Sequence, residues 1–105
     1  MGDRQQTLRG VMHREGDEWI AHCLDLDIVS CGPTEHEAAR QLAEAVTAQL
    51  GYARDMDNNT AYLFHPAPSE AWERLAVAMQ GKRPTIRLPL AYHEPPTLLE
   101  LQVAA

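Results

Sequence analysis

The segment from Asp17 to Leu50, DEWIAHCLDLDIVSCGPTEHEAARQLAEAVTAQL, is the part of this chain that most constrains its fold. Two short alternating stretches run up to Gly32-Pro33, and a helix start follows without a linker. Pro33 cannot donate to a sheet ladder, so the strand stops there. Thr34 with Glu37 three residues on is the capping-box pattern that satisfies unpaired amides in a helix's first turn. A strand–strand–helix run this tight has to lay its helix back on its own sheet.

Upstream, Gln6–Arg14 and Glu18–Leu24 read as the arms of a hairpin turning at Gly16-Asp17. That turn predicts Met12 opposite Ala21, Val11 opposite His22 and Gly10 opposite Cys23. One sheet face then carries Leu8, Gly10, Met12, Trp19, Ala21 and Cys23, all apolar or small, as a helix-covered surface should be. The opposite face carries Thr7, Arg9, Val11, His13, Ile20, His22 and Leu24, and is mixed. A second turn at Leu26-Asp27 leads into Ile28–Cys31. It is expected to set Cys23 opposite Cys31 and Val29 on the helix side.

From Thr34 onward, Ala38, Ala39, Leu42, Ala45, Val46, Leu50 and Ala53 form one stripe at helical spacing. Four of these seven are alanine, so the helix can lie close to its sheet. Gly51 is the expected stop, with Tyr52-Ala53-Arg54 able to add one more turn. Asp55–Asn59 reads as a loop and Thr60–Phe64 as a short extended stretch halted at His65-Pro66-Ala67-Pro68. A second helix is predicted over Ser69–Gln80, with Trp72, Leu75, Ala76 and Met79 on its stripe and Gly81 behind it. Thr85–Leu90 alternates, and Pro89 makes it an edge strand. Leu99, Leu101 and Val103 alternate too, so the C-terminal segment 98–103 adds a strand either to this sheet or to another subunit's.

The length of 105 residues suits one domain, 1–105, with a modest core that self-association would help, so a homo-oligomer is expected. Nine basic against fifteen acidic residues give a formal charge of −6, with no basic run. That balance disfavours direct nucleic-acid binding and suits a basic partner. No stretch approaches the roughly 20 apolar residues of a membrane helix, so a cytoplasmic protein with no membrane association is expected.

Asp25, Asp27, Glu35 and Glu37 are the carboxylates that could serve a metal-dependent nuclease, but turn and cap positions suggest solvated acids instead. His22 and Cys23 are adjacent and so point to opposite faces, and His13 lies away from Cys23, which weakens a zinc site. Cys23 and Cys31 read as small buried thiols, and Trp72 as core. Neither Ser30 nor Ser69 has a nucleophile-elbow pattern. No catalytic residue, cofactor or metal is expected. Val11, Ile20, Leu24 and Ile28 would be exposed on a lone β-β-β-α unit. Either the second helix covers them or another subunit does, which makes them the candidate partner surface.

The ordered set Gly16…Trp19-x-Ala21-x-Cys23, Asp25-Leu26-x-Ile28-Val29-Ser30-x-Gly32-x-Thr34-x-x-Glu37-Ala38, Leu42…Ala45-Val46 resembles the N-terminal domain of the HicB antitoxin family. The likeness spans roughly residues 6 to 53. In it, Gly10 and Ala21 are small where the helix crosses, Gly32 permits the sharp exit, and Thr34 with Glu37 starts the helix. The resemblance implies an α+β fold of order β-β-β-α-(α)-β. Its mixed sheet has the main helix on one face, akin to a truncated RNase H domain, with Thr85–Leu90 as the strand after the extra helix. It also implies a non-enzymatic protein that binds and occludes a small basic RNA-cleaving toxin. Such antitoxins often add a DNA-binding segment; the proline-rich, acidic tail here has no second helix at the spacing one needs. The alternative function is a small-molecule- or metal-binding domain on the same scaffold.

Overall fold

The computed structural model describes residues 6–57, 65–90 and 96–104. The chain forms β1 (Gln6–Glu15), β2 (Glu18–Cys23), β3 (Ile28–Gly32), α1 (Glu35–Asp57), α2 (Ser69–Met79), β4 (Thr85–Pro89) and β5 (Thr97–Val103). The fold is α+β: one five-stranded mixed sheet of order β3-β2-β1-β5-β4. The segment Thr60–Phe64, read as extended from sequence, lies outside the described residues.

The first hairpin has the register its turn predicts, with Gly10↔Cys23, Val11↔His22 and Met12↔Ala21 paired. Gly16 takes φ +62°, which a residue with a Cβ adopts only at a cost. The second hairpin differs. Its turn is four residues long, Leu24 to Asp27, and Cys23 pairs with Ile28 rather than with Cys31. A tight turn would strand Leu26 at an exposed tip. The longer turn instead buries Leu26 in the α1-side core and Leu24 beneath α2. Asp27, at φ 55°, supplies the left-handed residue. The change in register is odd, so every β3 side chain turns over. Ile28 and Ser30 therefore face α1, and Val29 faces away and is 54% exposed.

Helix α1 continues through Gly51 to Asp57, so that glycine does not end it. Thr34 caps it, its Oγ1 accepting the Glu37 amide at 3.1 Å. The reciprocal half of the capping box is replaced, because the Glu37 carboxylate binds Arg40. Six of the seven stripe residues, Ala38, Ala39, Leu42, Val46, Leu50 and Ala53, are buried, and Ala45 is half-buried. The close approach falls at Gly32, where an added Cβ would sit 2.9 Å from the Ala38 amide nitrogen. Gly32 thus serves helix packing rather than a special backbone angle. Gly10 has a different reason from the one expected. Its missing side chain makes room for the His22 carbonyl and for Leu101 of β5, 2.7 Å from where a Cβ would stand.

The far side of the sheet is covered as well. α2 packs Ala71, Leu75 and Ala78 with Ala67 over Val11 and Leu24. The buried stripe is rotated from the predicted Trp72–Leu75–Ala76–Met79 set, and Met79 is 65% exposed. The Pro68 turn and two anchoring bonds fix that rotation. The Ala67 amide donates to the Leu24 carbonyl at 2.8 Å, and Trp72 Nε1 donates to the Ala67 carbonyl at 3.1 Å.

The C-terminal segment closes this chain's own sheet. β5 inserts between β1, to which it is parallel, and β4, to which it is antiparallel. The sheet therefore has one strand more than the β-β-β-α-(α)-β expectation, and β5, not β4, lies beside β1. The parallel place is the buried one. Leu99, Leu101 and Val103 are sunk in the core there, while Pro89 holds β4 at the edge.

Candidate binding groove

α1 lies over β3 and β2, at one end of the sheet, and leaves the same face of β4 without a helix. The alternation of β4 sends Ile86 and Leu88 onto that face, where they and Leu90 are half-buried against the core. Opposite them stands the flank of α1 bearing Ala39, Ala43 and Thr47. Between the two walls runs an open groove of about 830 Å³ with a largely apolar floor. Small residues on the helix at i, i+4 and i+8 keep that wall low.

Charged side chains stand around it. Arg40 reaches Glu44 at 2.7 Å and Glu37 at 3.0 Å, both one helical turn away. Arg83, before β4, binds Glu35 at the start of α1 and so ties the groove's two walls together. The Arg40 guanidinium holds the Glu37 carboxyl below its ordinary range, and Glu37 in turn raises Arg40.

The residues singled out from sequence do not line this groove. Val11 and Leu24 are fully buried beneath α2, so neither can touch a partner. Ile28 faces the α1 core, which removes it from the mixed face. Ile20 remains on that face, half-buried and paired with Cys31. The alternation Ile86-Leu88-Leu90 was visible in the sequence, but not that α1 would stop short of it.

The four carboxylates are separately engaged. Asp25 accepts the Arg9 amide at 2.8 Å, Asp27 meets His22 Nε2 at 2.7 Å, and Glu35 and Glu37 hold arginines. Among the described residues no three His, Cys, Asp or Glu side chains gather as metal ligands would. The register puts Cys23 on the buried α1 side and Cys31, exposed, on the other, so the two thiols neither share an ion nor form a disulfide. Burial pushes the Cys23 thiol up to about 11. His13 Nε2 meets Glu15 at 2.9 Å, while its Nδ1 is buried without a partner. Ser30 Oγ donates to the Ala38 carbonyl at 3.1 Å, a strand-to-helix tie.

No described helix is long and apolar enough to cross a membrane. Comparisons with protein-family models, with curated proteins and with solved structures find no significant match.

Proposed function

We propose that this chain is a non-enzymatic binding protein related to HicB antitoxins, and that its partner is a small basic RNA-cleaving toxin. One observation carries the reading: the open groove between α1 and β4, with its largely apolar floor of Ile86, Leu88, Ala39 and Ala43. The β-β-β-α order at the front of the chain fits the family likeness, with α2 the extra helix before β4.

The mechanism is steric and electrostatic. A net charge of −6 steers a basic protein toward the surface. An apolar segment of the partner then lies on Ile86, Leu88 and Ala43. A catalytic residue beneath the bound antitoxin is shut off from RNA.

The test is to search next to this gene for a short reading frame encoding a basic protein and to co-express the two. A stable complex that no longer cleaves RNA is expected, and failure to form any complex would end the antitoxin reading.

A second reading has its own support. The groove's volume lies within the roughly 300–1,000 Å³ typical of small-molecule sites. An apolar small ligand would give saturable displacement of a hydrophobic dye with no protein partner present.

A further inference from the structure

β5 already shows what β4 pairs with. Its Leu99-Glu100-Leu101 lies antiparallel to β4, with Leu101 opposite Ile86, Glu100 opposite Arg87 and Leu99 opposite Leu88. The two apolar rungs face the α1 side and join the core there. The charged rung faces the other way, with Arg87 Nε donating to the Glu100 carboxylate at 3.1 Å. The outer edge of β4 has no neighbouring strand among the described residues.

That edge offers a ladder. Leu90 donates inward to the Thr97 carbonyl at 2.9 Å, so by alternation Leu88 and Ile86 also turn their backbone groups toward β5. Thr85 and Arg87 are left with both backbone groups pointing outward, and Pro89 with a carbonyl alone. An added strand therefore finds a donor and an acceptor at Thr85 and at Arg87, and its ladder ends at Pro89. Lying about 4.8 Å beyond β4, it sends alternate side chains to the α1 side. There they meet Ile86 and Leu88 and enter the open groove, where Ala39 and Ala43 of the helix leave them room.

Charge decides what lies between those side chains. The far face carries Arg9, Glu100 and Arg87 in register across β1, β5 and β4. The row alternates in sign but holds two arginines for one carboxylate, and its outer end, Arg87, is exposed. An acidic residue opposite Arg87 on an added strand continues the alternation, and opposite charges paired across strands stabilise a sheet. No acidic residue lies between Lys82 and Leu90 to oppose it. A second copy of β4 does not meet the condition, since pairing about Arg87 would set guanidinium against guanidinium.

We infer that the β4 edge takes up an extended segment of a partner protein as a sixth, antiparallel strand. The segment reads apolar–acidic–apolar, with the acid opposite Arg87. Main-chain bonds hold such a segment, and the alternate side chains select it. The inference rests on the reading of the groove as a protein-binding site, not on that protein being a toxin. A partner that is basic overall needs only one carboxylate at this point.

The probe is a capped synthetic heptapeptide, Ser-Thr-Val-Glu-Val-Thr-Ser, titrated into the full chain and followed by amide NMR. Saturable binding is expected, with the Thr85 and Arg87 amides shifted and slowed in hydrogen exchange. N-methylation of the peptide glutamate, whose amide faces Arg87, should weaken binding at least tenfold. N-methylation of a valine, whose amide faces solvent, should not. A peptide with lysine in place of glutamate should bind the wild type at least tenfold more weakly and regain affinity for Arg87→Glu. No binding, or binding that N-methylation of the glutamate leaves unchanged, overturns the inference even if Arg87→Glu fails to fold. A toxin complex formed by a chain that ignores the peptide would sink this inference alone. Peptide binding without any toxin complex would uphold it and sink the antitoxin reading.

Discussion

The Arg9 amide donates to the Asp25 carboxylate at 2.8 Å, across the point where β1 and β2 part. Ladder continuation would have given that amide the Leu24 carbonyl. The carbonyl instead accepts from Ala67, the residue that leads into α2. Asp25 thus frees a backbone acceptor to anchor the second helix, and a turn acid acquires a structural task.

Removing that acceptor should be felt. Asp25→Ala is expected to cost about 1–3 kcal/mol, the range for stranding a backbone donor. Asp25→Asn, which keeps a carbonyl, should lose less. Urea midpoints at unchanged m-value would show the order.

The α2 cover makes a second expectation. Val11→Ala and Leu24→Ala should each destabilise by about 1–4 kcal/mol, since both side chains are fully buried between sheet and helix. Met79→Ala, on an exposed position, should stay within about 0.5 kcal/mol. Equal, small effects at all three would mean that α2 does not sit on this face in solution.

Glycines in this chain should respond in opposite directions. Gly10→Ala and Gly32→Ala push a methyl against backbone and are expected to cost about 1–3 kcal/mol. Gly51→Ala, inside α1 with open space around it, should stabilise by about 0.5–1 kcal/mol. Thermal melts of the three variants decide it.

Cys23 gives a pH signature. Its folded thiol titrates near 11, above the ordinary 9.0, so folding favours the protonated form. That contribution is whole below pH 9 and is lost as pH rises from there toward 11. Cys23→Ala should flatten the alkaline fall in stability. Cys31, exposed, should react with a thiol reagent in the native protein while Cys23 waits for unfolding.

On the proposal that the groove holds a basic partner, Leu88→Glu and Ala43→Glu should weaken its capture tenfold or more without unfolding the chain. Val77→Glu, on an exposed α2 position remote from the groove, should leave capture unchanged. Calorimetric titration of each variant against any basic partner recovered by co-expression reads the difference.

Some of this was already written in the sequence. The β1–β2 register follows from a turn at Gly16-Asp17, and the α1 stripe and its Thr34 cap follow from spacing over a few turns. Pro89 marked its strand as an edge. Each is a local property, set by dihedral preference and by which neighbours a side chain meets within four residues. What lay beyond reach depended on partners far along the chain. The β2–β3 register turned on two leucines, Leu24 and Leu26, each finding a core on a different face of the sheet. The rotation of α2 depended on the Leu24 carbonyl, and the place of β5 on which segment had enough buried apolar residues for the parallel central position. With those choices made, Val11, Leu24 and Ile28 left the surface. The groove came to lie between α1 and β4, where no local pattern could have put it.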